Sequence, residues 1–162
     1  MDKYCCFVLY DNFEFSEEAK DRLRVLLEKL IVNHSVNKFL FYFYNRATVE
    51  CLNIICELKN KYAGISSVKA NFRSSKSFNK SMLIDFDEII NYTTRNEFAV
   101  EELIAKMINS SEYVCLCYDR KNNEFLTANL YRKLNRSLYY YALEKNKLVY
   151  NLCTNQIESF MV

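Results

Sequence analysis

The sequence predicts a three-layer α/β/α domain built on a mainly parallel sheet of about five strands. Two observations carry that expectation. Apolar runs of strand length alternate along the chain with stretches whose apolar residues recur at helical spacing, and strands alternating with helices give a parallel sheet with helices on both faces. The strand candidates KYCCFVLY and EYVCLCY are also nearly continuous in apolar residues, which suits strands covered on both sides. At 162 residues, 51% of them hydrophobic, the chain fits one domain that buries roughly 70% of the surface its unfolded form exposes.

The first strand, KYCCFVLY, is followed by a helix from Ser16, a residue suited to N-capping, with Glu17 and Glu18 placed against the helix dipole. Leu23, Leu26, Leu27, Leu30 and Ile31 then form one apolar stripe. VNKFLFYFY is the second strand. The next helix runs from Arg46 to Tyr62 with Leu52, Ile55 and Cys56 inward, and Gly64 is placed to end it. The strand ISSVKANF leads into the polar loop RSSKSFNKS, where Lys69, Arg73, Lys76 and Lys80 gather with no acid among them. A helix from Asn96 to Asn109 carries Val100, Leu103, Ile104, Met107 and Ile108 on one side. The strand EYVCLCY, a helix from Leu126 to Lys145 and the strand KLVYNL complete a single domain over residues 1–152, with 153–162 as a C-terminal tail.

Composition narrows the classes of function. Lys+Arg number 22 against Asp+Glu 20, so no strong overall field points to nucleic acid or membrane. The seven cysteines, an odd number, sit largely in apolar runs and read as reduced, buried thiols. Cys115 and Cys117 form C-x-C on a strand, but structural zinc wants paired C-x-x-C or Cys/His sets, so no metal is assigned. The apolar run Tyr4–Tyr10 is too short for a signal peptide and no window reaches the length of a membrane span, which places the chain in the cytoplasm.

Three stretches read together, YCCFVLYDN, FLFYFYNRATVECLNIICELKNKY, and INSSEYVCLCY followed by YYYALEKNKLVYNL, resemble the YpsA-like branch of the SLOG superfamily, related to DprA and lysine-decarboxylase-like Rossmann domains. The resemblance implies a Rossmann-like fold whose strand ends hold nucleotides in glycine loops. The loops themselves are replaced. Val8, Leu9, Tyr10 and Asp11 stand where the family has T-G-H-R, and Tyr42 to Thr48 stand where it has a glycine-rich turn. The family's GGT turn falls near Lys133, Leu134 and Asn135. With Gly64 the only glycine, no other phosphate cradle of glycine type exists in the chain.

Ligands of open parallel sheets bind beyond the strand carboxyl ends, where the strand order reverses. That position collects Tyr10, Asp11, Asn12, Tyr44, Asn45, Arg46, Thr48, Tyr118, Asp119 and Arg120 as ligand-pocket candidates. Arg46 would meet an anion and Tyr10 or Tyr44 would stack on a base. The plainer reading makes these residues loop caps, with Arg46 paired to Asp11 or Asp119. Between 118 and 150 seven basic residues face three acidic ones, and Arg132, Lys133 and Arg136 form the candidate partner surface, otherwise a solvated face. Tyr139, Tyr140 and Tyr141 are consecutive on a helix and cannot form one flat platform. No catalytic arrangement emerges. His34 lies at the far end of the first helix, and Asp85, Asp87, Glu88, Glu101 and Glu102 read as exposed helix starts. Glu50 and Glu57 share a helix face that solvation explains.

The expectation is a non-catalytic SLOG-like binding domain without cofactor. It acts through a protein partner or a second copy, as an inhibitor or accessory factor of mobile-element or phage type. The alternative is a nucleotide-derivative sensor or enzyme, with Arg46, Asn45, Asp11 and the tyrosines in place of the glycine loop. A nucleic-acid-binding protein, whose binding would weaken steeply with salt, is the second alternative.

Overall fold

A computed structural model describes residues 1–9, 15–73, 85–95, 99–116 and 138–152, with the backbone of 156–158. The strands are β1 (Tyr4–Val8), β2 (Lys38–Phe41), β3 (Ser66–Phe72), β4 (Glu88–Tyr92), β5 (Tyr113–Leu116), β6 (Leu148–Asn151) and β7 (Gln156–Glu158). The helices are α1 (Glu17–His34), α2 (Arg46–Lys61), α3 (Val100–Ser110) and helical residues 138–144, α4. The sheet order is β4-β3-β2-β1-β5-β6-β7, parallel throughout except for the antiparallel pairing of β7 with β6. This is the expected Rossmann-like α/β/α architecture. The strands beyond the expected five are β4 and β7, the latter within the segment read as a tail.

Side-chain alternation builds the layers. On β1, Cys5 and Phe7 point into one core with Leu9, while Cys6 and Val8 point into the other. The first core is covered by α1 and α2, and Phe7 stacks on Phe41 with ring centroids 4.5 Å apart. The second is covered by α3 and α4 through Ile104, Met107, Ile108, Tyr139 and Leu143. Tyr139 is buried, Tyr140 exposed and Tyr141 between them, as consecutive helical residues must be.

Helix α1 begins where Ser16 accepts a hydrogen bond from the Ala19 N–H at 3.1 Å, and ends at Ser35, whose left-handed backbone (φ 58°) turns its N–H to the Leu30 carbonyl. Leu23, Leu27 and Leu30 are buried beneath it. Each fully buried leucine contributes about 1.5–3 kcal/mol, against ~0.2–1 kcal/mol for an exposed ion pair. The pairs Lys20–Glu50 and Arg24–Glu57, with Lys61 and Tyr62 on Glu28, therefore align α1 and α2 more than they hold them. Glu50 and Glu57 do share a face, turned toward α1 and not to solvent alone. Cys56, expected inward, is exposed; Cys51, Ile54, Ile55 and Leu58 take the inner positions. Gly64 follows α2 with φ 85°, the conformation that favours glycine.

Candidate functional site

The parallel strands end at one edge, and their order reverses between β1 and β5, so the crevice where a ligand is expected opens beyond Val8 and Leu116. Tyr44, Asn45, Arg46 and Thr48 are described there. Tyr10, Asp11, Asn12, Tyr118, Asp119 and Arg120 lie outside the described residues, as do Arg132, Lys133 and Arg136.

Asn45 is the N-cap of α2: its Oδ1 accepts from the Thr48 N–H at 3.0 Å, and its Nδ2 donates to the Leu9 carbonyl at 2.7 Å. The buried Thr48 hydroxyl donates to the Phe43 carbonyl at 2.8 Å. One amide thus satisfies the helix start and ties it to the exit of β1. At α1, the helix that follows the first strand, Ser16 caps the N-terminus from within and Glu17 and Glu18 occupy its first turn. Carboxylates there take the favourable field of the helix dipole that a phosphate would otherwise use.

The Tyr44 hydroxyl donates to Asp85 at 2.8 Å, and its ring meets Phe86 edge-on with centroids 6.1 Å apart. The bond to Asp85 raises the Tyr44 pKa. Arg46 is exposed on the first turn of α2. Asp85, Asp87 and Glu88, read as an exposed helix start, lead into β4 instead. Asp87 accepts from Lys59 Nζ at 2.5 Å and from the Ser67 N–H at 2.9 Å, and Glu88 pairs with Lys38.

Lys69 is the residue that sequence reasoning misplaced. Val68 and Ala70 enter the second core, so Lys69 takes the opposite face of β3, where it is only 4% exposed. Its ammonium donates to the Tyr42 carbonyl at 2.5 Å and the Ala70 carbonyl at 2.9 Å and lies 4.5 Å from the centroid of the Tyr42 ring. Burial pulls its pKa from 10.5 down to about 8. Carbonyl dipoles and a π face hold the cation where no described carboxylate reaches it. Tyr42 in turn meets Phe43 and Phe72 edge-on, so side chains fill the β2 and β3 ends.

Burial disfavours the thiolate forms of Cys5, Cys6 and Cys51. Burial, then a contact with Cys115 at 3.7 Å between sulfurs, pushes Cys5 well above its ordinary pKa; burial likewise raises Cys51, and Cys6 to about 12. His34 packs on Tyr113 at the start of β5, the opposite edge from the strand ends. Among the described residues no group of three His, Cys, Asp or Glu side chains is placed to hold a metal, and no helix is long and apolar enough to cross a membrane. No family model matches the chain, and no curated protein matches it significantly.

Proposed function

We propose that the chain is a non-catalytic SLOG-like domain that works by binding a protein, in the manner of an inhibitor or accessory factor of mobile-element or phage type. The observation that carries this reading is the closure of both helix starts at the ligand edge by the chain's own residues: Ser16 with Glu17 and Glu18 on α1, and Asn45 on α2. A phosphate would have to displace the Asn45 cap or sit against two carboxylates. The aromatic filling around Lys69 supports the same reading.

Thermal unfolding with a panel of nucleotides, ADP-ribose and related phosphates tests it. A ligand at about a hundred times its dissociation constant adds roughly 2.7 kcal/mol and raises the melting temperature visibly. The binding-domain reading expects no rise. A clear rise for one compound, lost in Arg46→Ala, would overturn it in favour of a nucleotide sensor or enzyme.

A further inference from the structure

Among the described residues, helices cover only part of the sheet face of the first core. Of these residues α1 and α2 are the helices that contribute to it, over β1 and β2, while Tyr113, Cys115 and Tyr150 extend the same face across β5 and β6. A groove of about 230 Å³ remains between α1 and β6. Val25 and Leu26 form one wall and Tyr150 and Leu152 the other. Arg22, Val25, Lys29 and Val32 are spaced three, four and three apart, which puts them on one ridge of α1. On that ridge Val25 is 63% and Val32 57% exposed.

One lining residue carries a polar group with no described partner. Tyr150 is 9% exposed, yet its hydroxyl makes no hydrogen bond to any described residue. A buried phenol normally finds an acceptor. Two exposed cations border the same groove: Arg22, which also meets Glu18 at 3.5 Å, and Lys29, which has no ion pair among the described residues. A second copy fits poorly. Antiparallel packing of two α1 ridges centred on Lys29 would set that lysine against its own copy.

We propose that this groove receives an acidic amphipathic segment of a protein partner. Its apolar side chains pack on Val25, Leu26 and Leu152, an oxygen accepts from the Tyr150 hydroxyl, and its carboxylates face Lys29 and Arg22. This specifies a surface for the protein-binding reading above and rests on it.

The test selects random sixteen-residue peptides displayed on phage against the full chain, then measures enriched peptides by fluorescence anisotropy. Enriched sequences should carry Asp or Glu beside apolar residues at helical spacing. Their affinity should fall about tenfold in Lys29→Glu and in Val25→Asp, both exposed positions, and severalfold in Tyr150→Phe, with melting temperatures of the two exposed variants unchanged. Enriched peptides that lack acids, or that bind Lys29→Glu and Val25→Asp as tightly as wild type, would overturn the groove while leaving protein binding in place. No enrichment together with a nucleotide-induced rise in melting temperature would overturn both.

Discussion

Replacing Lys69 with methionine isolates the cost of its buried charge. The amine titrates at about 8 in the folded chain against 10.5 for an exposed lysine, and at about 1.4 kcal/mol per pH unit the gap corresponds to about 3 kcal/mol. Below about pH 8 the amine is charged in both folded and unfolded chains, and the full cost is present. Between about 8 and 10.5 the folded chain releases the proton first, the unfolded chain binds more protons, and stability rises with pH. Buried acids act in the opposite sense: burial raises both Tyr150 and Cys6 to about 12, so their contribution falls as pH rises. Subtracting the Lys69→Met variant removes these shared contributions. Wild type should then gain about 2.5 kcal/mol on the variant between about pH 7 and about pH 10. Urea unfolding at intervals across that range, in reducing buffer, measures the gain. The methionine also strips a donor from the Tyr42 and Ala70 carbonyls, so the slope with pH, and not the offset at one pH, carries the test. A difference that does not change with pH would refute the reasoning, because it would mean that the amine reaches water in the folded chain.

Three further perturbations have defined outcomes. Asn45→Ala should lower stability in urea by about 1–2 kcal/mol, and Asn45→Asp, which keeps the acceptor for Thr48 but not the donor to Leu9, should lose less. Gly64→Ala should cost about 1 kcal/mol in the same assay from backbone strain alone, since nothing lies within 4 Å of the added carbon. Burial pushes the Asp87 pKa up, but Lys59 and the Ser67 N–H more than reverse this and hold it below 3.8. Its stabilisation is therefore present above that value and lost as pH falls through the folded pKa, so Asp87→Asn should flatten the acid limb of the stability curve.

The layers were legible because two periods were clear in the chain. The stripe of leucines from Leu23 to Leu30 defines α1, and the doubly apolar run Tyr4–Val8 defines β1. The edge strand β4 was not legible: EIINY opens on an acid and stays half-exposed, so Glu88, with Asp85 and Asp87 just before it, read as a helix start. Only three residues long, β7 has no room for a period. The strand holding Lys69 was foreseen, but the lysine was counted with the basic loop beyond it, although Val68 and Ala70 fix its inward direction by parity. Asn45 was recognisable as a residue before a helix; its bond to Leu9, 36 residues away, depends on β1 and β2 lying side by side. Tyr150 read simply as strand interior, and its unmet hydroxyl emerges only because, among the described residues, α1 and α2 are the helices on that face and leave a groove beside β6.

The placement of β1 has a consequence during synthesis. It leaves the ribosome before the other described strands, yet it pairs on one flank with β2 and on the other with β5, whose Cys115 lies 110 residues after Cys5. Translation at about 5–20 residues per second separates the two by roughly 5–20 s. For that interval one flank of an apolar strand has no native neighbour, and open strand flanks are templates for intermolecular pairing. A nascent chain stalled before Tyr113 should therefore be markedly more prone to aggregate than one released after β5 has emerged, because β5 supplies the neighbour that closes the second flank of β1.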